Sequence, residues 1–330
     1  MNWLQHHWYR ITPLHLILFP ISLVFRMVVA LRRELYLSGF LNSHQLLLPV
    51  IVVGNISVGG TGKTPLTLAL AQRLIERGRH PLIISRGYGR TSPSPQPVRA
   101  SSTAARVGDE PLLMAQHDIC PVWVGADRVA TAQEALQANP QCDVVLCDDG
   151  LQHYRLQRDV EIAVIDGAIG HGNGLMLPAG PLREPVSRLQ SVDAVVVNGD
   201  AAPSGQYVMR LSGDRFYNLL DPDRNASADH FQGQKNHAVA GIGNPQRYFQ
   251  HLETLGIPFT PHAFPDHHPY RATDLSFTDC DAILLTEKDA VKCTTFADAR
   301  YWVLRVDAQI DPALIDHILR KIDPHGHQTA

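Results

Sequence analysis

The sequence predicts an α/β fold with a doubly wound, mainly parallel sheet, followed by a second, smaller C-terminal α/β domain. From residue 50 onward, short runs of β-branched and apolar residues alternate with helical stretches. These runs are continuously apolar, as in parallel strands that are buried on both faces. Near residue 220 the alternation is interrupted by DPDRNASADH, and a shorter series of strands and helices follows.

Length and composition are those of an ordinary globular protein. The chain has 330 residues, enough for two hydrophobic cores, with 45% apolar and 18% charged residues. A net charge of -3 provides no global basic field, so we expect no nucleic-acid partner. The cysteines form no C-x-x-C pair and most lie in or beside apolar runs, so we expect buried, reduced thiols in a cytosolic environment.

The N-terminal segment is predicted to associate with a membrane. Residues 11–31 are strongly apolar, but His15, Arg26 and two prolines interrupt them, and arginines flank them. We favour a helix in the membrane interface, with a membrane span and a soluble packing helix as the alternatives. A signal peptide is not favoured, because no small-residue cleavage site follows. Each flanking arginine near anionic headgroups would add about 1 kcal/mol.

The predicted elements divide the chain into three parts. Residues 1–34 form the membrane-associated N-terminal helix, residues 35–220 the larger domain and residues 221–330 the smaller one. Ligands of doubly wound sheets bind at the carboxyl ends of the strands, so the loops there are the candidate site. Strands are predicted at 50–54, 80–85, 121–125, 143–149, 160–166, 192–198, 237–243, 281–286 and 301–306, and helices at 65–77, 112–117, 127–139, 245–255 and 312–321.

A glycine-rich loop between the first strand and the helix after it is typical of phosphate binding. Its glycines let backbone N–H groups close around phosphate oxygens, and the helix N-terminus adds positive potential. Lys63 would reach the β- and γ-phosphates, and Thr64 would ligate Mg²⁺. A glycine-rich turn that only caps the helix is the alternative, since Ser57 stands where the common G-x-x-x-x-G-K-[ST] pattern has its first glycine. The predicted fold is P-loop NTPase-like, and the predicted ATP-binding residues are Val58, Gly59, Gly60, Thr61, Gly62, Lys63, Thr64 and Pro65.

Two pairs of carboxylates are candidates for metal binding and proton transfer. Asp148 and Asp149 end an apolar strand, where an acid commonly holds the Mg²⁺ of a P-loop enzyme. Their alternative role is to cap the next element. Asp109 and Glu110 precede a helix, so they either cap it or provide a base for an acceptor hydroxyl. Spacing alone leaves that choice open.

Other strand-end loops carry arginine and glycine. Arg86 and Tyr88 lie in SRGYGR, which suits an anionic or sugar substrate, and Arg128 could touch phosphate or pair with its neighbour Asp127. The loop 170–183 is glycine-rich and leads into Arg183-Glu184; long loops of this kind are often functional. Solvated turns or a plain linker are the alternatives. The DHHPY cluster lacks the spacing of a zinc helix, so no metal site is predicted there.

Together these segments resemble the tetraacyldisaccharide 4′-kinase family, the lipid A kinases of Gram-negative bacteria. The similarity runs through most of the chain, and the family shares the GGTGKT form, so Ser57 is no departure from it. The matching segments, in the family's order, are VGNISVGGTGKTP (53–65), SRGYGR (85–90), VGDEP (107–111), GADR (125–128), DDGLQH (148–153), LPAGPLREP (177–185), DHHPY (266–270) and TEKDAVK (286–292).

The resemblance implies ATP- and Mg²⁺-dependent phosphorylation of the 4′-hydroxyl of a tetraacylated glucosamine disaccharide 1-phosphate. It implies a location at the cytoplasmic face of the inner membrane and a site between the two domains. The residues implied as catalytic are Asp109, His267 and Lys63, with Asp109 as the base. The metal-binding residues are Thr64, Asp148 and Asp149, and the substrate-binding residues are Arg86, Tyr88, Glu110, Arg128, Arg183 and Glu184.

Two other functions remain open from the sequence. A membrane-associated P-loop ATPase switch of the partitioning type would explain the phosphate loop and the apolar N-terminus, but not the basic loops and DHHPY. A soluble kinase of a small metabolite would require residues 11–31 to pack as a core helix. Transfer of γ-phosphate to a lipid excludes the first, and sedimentation with anionic liposomes excludes the second.

Overall fold

The computed structural model describes residues 7–323, which form two sheets with helices on their faces. The strands are β1 (Val50–Gly54), β2 (Pro81–Ser85), β3 (Gln96–Val98), β4 (Val122–Val124), β5 (Val144–Asp148), β6 (Val160–Asp166), β7 (Ala194–Asn198), β8 (Tyr207–Ser212), β9 (Arg215–Asn218), β10 (Asn225–Ser227), β11 (Asn236–Ala240), β12 (Thr260–Ala263), β13 (Ala282–Thr286), β14 (Tyr301–Leu304) and β15 (Asp307–Ile310). The helices are α1 (His15–Leu37), α2 (Lys63–Glu76), α3 (Ala104–Val107), α4 (Asp109–Gln116), α5 (Arg128–Ala138), α6 (Pro245–Thr254), α7 (Glu287–Ala290) and α8 (Pro312–Ile322).

The larger sheet is doubly wound, as the sequence predicts. Its order is β15-β8-β7-β6-β1-β5-β2-β4-β3, and the pairs from β8 through β4 are parallel. Ile51 and Val53 of β1 join a core with α2, α4 and α8, whereas Val50 and Val52 join a core with α5. Alternate residues of one strand therefore serve cores on opposite faces, which is why the apolar runs are continuous.

The smaller sheet has the order β10-β9-β14-β13-β11-β12, with β11 to β14 parallel and β9 and β10 antiparallel. Helix α6 buries Tyr248, Phe249 and Leu252 against one face, together with Phe231 and Trp302. The segment 264–277 and α7 cover the other face. This domain is thus a second α/β unit with its own core.

The C-terminal end of the chain differs from the predicted domain boundary. Strand β15 pairs antiparallel with β8 in the larger sheet, and Leu314, Ile315 and Ile318 of α8 enter the same core as α2. The smaller sheet begins already at Arg215, in β9. The helix predicted at 312–321 therefore packs in the larger domain, because an apolar helix face does not show in sequence which core will bury it. The chain passes between the two sheets twice, at 212–215 and 304–307.

Helix α1 has its polar side against the protein and its apolar side outward. His15 and Ser22 are buried, and their side chains contact the carbonyls of Ala179 at 3.0 Å and Met176 at 2.8 Å. The helix is long and apolar enough to cross a membrane by length and composition, and only 11% of its most apolar window is buried. Its large exposed apolar residues include Leu16, Ile17, Ile21, Val24, Met27, Val28 and Leu31.

Candidate active site

The phosphate loop connects β1 to α2 and depends on two glycines with positive φ. Gly59 has φ 112° and Gly62, which precedes the helix, has φ 96°, a region that other residues rarely adopt. A Cβ on Gly62 would also lie 2.5 Å from the side-chain nitrogen of Asn198. The loop leads directly into Lys63 and Thr64, as its sequence predicts, so the backbone N–H groups at this turn lie at the N-terminus of α2.

Two buried asparagines at strand ends support this loop, and the sequence analysis did not identify either. Asn55 follows β1 and donates to the Gly59 carbonyl and the Thr61 hydroxyl, both at 3.3 Å. Asn198 ends β7 and donates to the Thr61 carbonyl at 3.0 Å. The available signal was their position directly at the carboxyl ends of predicted strands. These bonds fix the backbone that would surround a phosphate group.

Asp149 is ionised and paired with two cations. Lys63 Nζ lies 3.6 Å from its carboxylate, and Arg183 Nη1 lies at 3.3 Å. Although burial opposes the charge, these two cations lower the pKa of Asp149 to about 2. Asp149 has φ 48°, a conformation uncommon outside glycine that often marks functional positions. In this arrangement Asp149 neutralises the lysine that is expected to bind the nucleotide.

Asp148 has the opposite electrostatic environment. It is only 1% exposed and accepts hydrogen bonds from Thr67 at 3.4 Å and Ser85 at 3.3 Å. Burial, and next the charges of Glu110 and Asp149, raise the pKa of Asp148 to about 7. Besides being buried, Asp148 lies in the negative potential of two neighbouring carboxylates, which an added divalent cation would neutralise.

The residues present fit a magnesium ion shared with phosphate oxygens. Within residues 7–323, no group of three His, Cys, Asp or Glu side chains would hold a metal without other ligands. Mg²⁺ in kinases needs only one or two protein ligands besides phosphates and water. Asp148 ends β5 and Asp149 follows it, and Thr64 lies at the start of α2 next to Lys63. Hard oxygen ligands at a phosphate loop suit this ion.

Asp109 and His267 meet across the two domains. Asp109 begins α4 of the larger domain and is 6% exposed, and His267 Nδ1 lies 2.8 Å from its Oδ2 and 3.1 Å from its Oδ1. Burial opposes both charges, but their mutual hydrogen bond lowers the pKa of Asp109 and raises that of His267. His267 has φ 60°, so its backbone is held in a conformation rare for histidine.

Lys288 forms a second contact between the domains that the sequence analysis did not identify. Lys288 lies in α7, and its Nζ is 2.8 Å from Glu110 Oε1, 3.0 Å from Asp266 Oδ1 and 3.4 Å from His267 Nε2. Although burial opposes its charge, the carboxylates of Glu110, Asp266 and Asp109 raise the pKa of Lys288. Thr286 caps α7, and Lys288 in the same TEKDAVK segment reaches Glu110.

Of the predicted substrate-binding residues, Tyr88, Arg183 and Glu110 have contacts at this cleft. The exposed Tyr88 ring is 4.9 Å from the His267 ring, and Arg86, two residues earlier, is also exposed. Arg183 contacts Asp149 and Glu110 contacts Lys288, so both are at the site through ion pairs.

Glu184 and Arg128, the other two residues predicted to bind substrate, are both buried. Glu184 is 1% exposed and accepts hydrogen bonds from Gln152 and Tyr154. Arg128 is 3% exposed and donates to the carbonyl of Gly125 at 3.3 Å. The Arg128 charge lowers the pKa of both Asp148, which ends β5, and Asp149, which follows it.

Comparison with known proteins decides the family. The sequence matches the model of the tetraacyldisaccharide-1-P 4′-kinase family over residues 14–323. The chain belongs to the tetraacyldisaccharide 4′-kinase family. Its function is that of an ATP-dependent kinase of lipid A biosynthesis, and the prediction from the sequence is confirmed.

Individual relatives are similar over nearly their whole lengths. The tetraacyldisaccharide 4′-kinase of Methylobacillus flagellatus is 48% identical over 321 residues, covering 97% of this chain and 96% of the relative. That of Pseudomonas aeruginosa PAO1 is 50% identical over 311 residues, covering 93% of each. A crystal structure of LpxK from Aquifex aeolicus in complex with ATP has a TM-score of 0.77 and 28% identity, covering 92% of this chain and 98% of that one.

Proposed function

We propose that this chain transfers the γ-phosphate of ATP to the 4′-hydroxyl of a tetraacylated glucosamine disaccharide 1-phosphate in the cleft between its two domains. The observation that carries this proposal is the Asp109–His267 pair, which is formed from both domains. It lies beside Glu110, whose charge acts on Asp148. An acceptor hydroxyl at this pair would therefore lie near the groups assigned to ATP. The domain division proposed is a larger P-loop kinase domain and a smaller α/β domain.

ATP binding is assigned to the phosphate loop and magnesium binding to its neighbours. Gly59 to Thr64 would surround the β- and γ-phosphates, and Thr64, Asp148 and Asp149 would hold Mg²⁺. The ion would supply charge neutralisation of the phosphate oxygens. Lys63 pairs with Asp149 at 3.6 Å here, and a bound γ-phosphate would provide it with a stronger partner. Lys63 is thereby placed to stabilise the charge of the transferring group.

The acceptor hydroxyl needs a base, and we assign this role to Asp109 supported by His267. A sugar hydroxyl is too weak an acid to ionise by itself near neutral pH. His267 donates its Nδ1–H to the Asp109 carboxylate at 2.8 Å, because its Nε2 lies 3.4 Å from the Lys288 ammonium group and can only accept there. This bond orients Asp109, whose carboxylate takes the proton of the acceptor hydroxyl. The pair then holds the proton while the oxygen attacks phosphorus.

We assign α1 to membrane association at the cytoplasmic face of the inner membrane. Its apolar residues face away from the protein, and Leu16 is 82% exposed. Such a surface is unfavourable in water and matches the interior edge of a lipid layer. An acceptor with four acyl chains is itself a membrane lipid, so this helix would bring the enzyme to its substrate.

A direct assay tests the proposal. The protein is incubated with [γ-³²P]ATP, Mg²⁺ and a tetraacyldisaccharide 1-phosphate in mixed micelles, and the lipid is separated by chromatography. We expect label in the lipid with wild-type protein and strongly reduced label with Asp109→Asn. Release of inorganic phosphate without labelled lipid would instead support the ATPase switch. An acceptor whose 4′-hydroxyl is blocked is the control for the position of transfer.

A further inference from the structure

Asp289 is a fully buried carboxylate outside the groups assigned to the reaction. It is 0% exposed and lies in α7, directly after Lys288. Its Oδ2 accepts hydrogen bonds from the Thr286 hydroxyl at 2.6 Å and from the Gly241 backbone N–H at 2.9 Å. Lys292 neutralises it at 2.9 Å. Burial of a charge is costly, so a carboxylate with these partners needs a structural reason.

The Gly241 bond fixes the start of the loop that follows β11. There is no space for a side chain at this position: a Cβ on Gly241 would lie 2.6 Å from the Tyr270 hydroxyl and 3.0 Å from Asp289. Lys292 also lies over the Tyr270 ring, at 4.9 Å from its centre. Carboxylate, tyrosine and lysine thus determine where the loop of residues 241–243 leaves the smaller sheet.

Two residues later the same loop contacts the phosphate loop. A Cβ on Gly243 would lie only 2.3 Å from the backbone nitrogen of Gly60 and 3.3 Å from the Gly59 carbonyl carbon. The two backbones are therefore in direct contact, and both line one cavity together with Asp166. Since no positive φ is recorded at Gly243, its glycine is explained by this close approach and not by backbone conformation.

Helix α7 therefore supports two contacts between the domains at once. Lys288 reaches Glu110 and the Asp109–His267 pair, while the adjacent Asp289 holds the loop that lies on Gly60. We propose that Asp289 and Gly243 are positioning residues, which set the smaller domain against the phosphate loop so that the nucleotide cradle and the Asp109–His267 base form together. This inference rests on the proposed function of that pair.

The test compares how much His267→Asn lowers kcat in wild-type protein and in the Gly243→Ala variant. In wild-type protein, loss of the charged hydrogen bond should lower kcat by about tenfold or more. Gly243→Ala should force the loops apart and lower kcat, and should raise the KM for ATP, at an unchanged thermal midpoint. In that background His267→Asn should cost less than about threefold, because the pair is already separated. Gly199→Ala is the matched control, since its Cβ would have ordinary contacts from 3.5 Å.

The proposed coupling between Gly243 and the Asp109–His267 pair would be overturned if His267→Asn lowered kcat by the same factor in wild-type protein and in Gly243→Ala. It would also be overturned if Gly243→Ala had the kcat and the KM for ATP of the wild type. If His267→Asn has no effect in wild-type protein, the proposed base fails instead. The loop contact is then judged by the KM for ATP of Gly243→Ala, and an unchanged KM would overturn it.

A second measurement does not depend on activity. Hydrogen exchange of residues 241–243 and 57–62 should accelerate in Asp289→Asn, because the amide removes the charge that Lys292 neutralises. It should remain unchanged in Asp279→Asn, whose exposed carboxylate pairs with Lys235 in the same domain. Equal exchange in the two variants would contradict the positioning role of Asp289, and it would do so even if Gly243→Ala failed to fold.

Discussion

Separation of the Asp109–His267 pair is the sharpest test of the assigned chemistry. Asp109→Asn removes the proton acceptor, and a general base contributes about 10²- to 10⁴-fold in rate. His267→Asn keeps a residue that tolerates the φ of 60° but removes the ring from the carboxylate. A hydrogen bond to a charged, buried group contributes about 1.5–3 kcal/mol, which corresponds to roughly 10- to 150-fold. Because the pair would act as one base, the double variant should be about as slow as Asp109→Asn alone.

The assay is single-turnover transfer to the lipid, which separates chemistry from product release. His268→Asn is the control, since that neighbouring histidine contacts Asp274 at 3.2 Å and not Asp109. Thermal midpoints of all variants should stay within the range of the control. Rate losses that multiply in the double variant would show that the two residues act independently, and the dyad would then be refuted.

The pH dependence of kcat is a further readout of the same pair. The pKa of His267 is raised above its ordinary value of 6.5, and a protonated ring lowers the pKa of Asp109 and makes its carboxylate a weaker base. We therefore expect kcat to rise with pH through that raised value, and the acid limb should be lost in His267→Asn. The contribution of this ion pair to folding stability changes with pH in the opposite direction. The ion pair contributes most between the ordinary Asp pKa of 3.8 and the ordinary His pKa of 6.5; it weakens as pH rises through the raised His267 pKa and as pH falls through the lowered Asp109 pKa.

Three other outcomes are expected. Lys63→Ala should lower kcat by about 10³-fold with the thermal midpoint kept, because it removes the charge at the transferring phosphate; near-normal turnover of folded protein would disprove the phosphate-loop assignment. Asp149→Asn should raise the Mg²⁺ concentration needed for half-maximal activity, and a wild-type titration would exclude the metal role. Leu16→Glu should reduce binding to anionic vesicles, whereas Leu220→Glu, at an exposed position on the smaller domain, should not; equal binding would place the membrane contact elsewhere.

The local sequence was sufficient to predict the phosphate loop, but not to predict the distant residues that hold it in place. Gly59 to Thr64 are contiguous, and their strand–loop–helix context is visible in the sequence. Asn198 acts on Thr61 from 137 positions away, and only the order of strands in the sheet brings the two together. Lys288 was similarly hidden, since its partner Glu110 lies 178 positions earlier, in the other domain. Long-range contacts of this kind follow from topology, not from pattern.

Burial separates two residues that are adjacent in the sequence. The resemblance implies that both Arg183 and Glu184 bind substrate, and in the structure Gln152 and Tyr154 bind the Glu184 carboxylate inside the protein. Arg183 contacts Asp149 whereas Glu184 is only 1% exposed, so one residue reaches the site while the next lies inside the protein. The same limit applied to α8, whose apolar face was evident but whose core was not.

One segment of the chain links the membrane helix to the nucleotide site. Ala179 contacts His15 of α1 at 3.0 Å, and two residues later the Pro181 carbonyl accepts a hydrogen bond from Val58 at 2.8 Å. Arg183, two residues further, pairs with Asp149. The loop predicted as functional from its glycines therefore runs from α1 to the phosphate loop and to Asp149. With α1 on the membrane, as proposed above, this loop connects the lipid layer that holds the acceptor to the groups assigned to ATP.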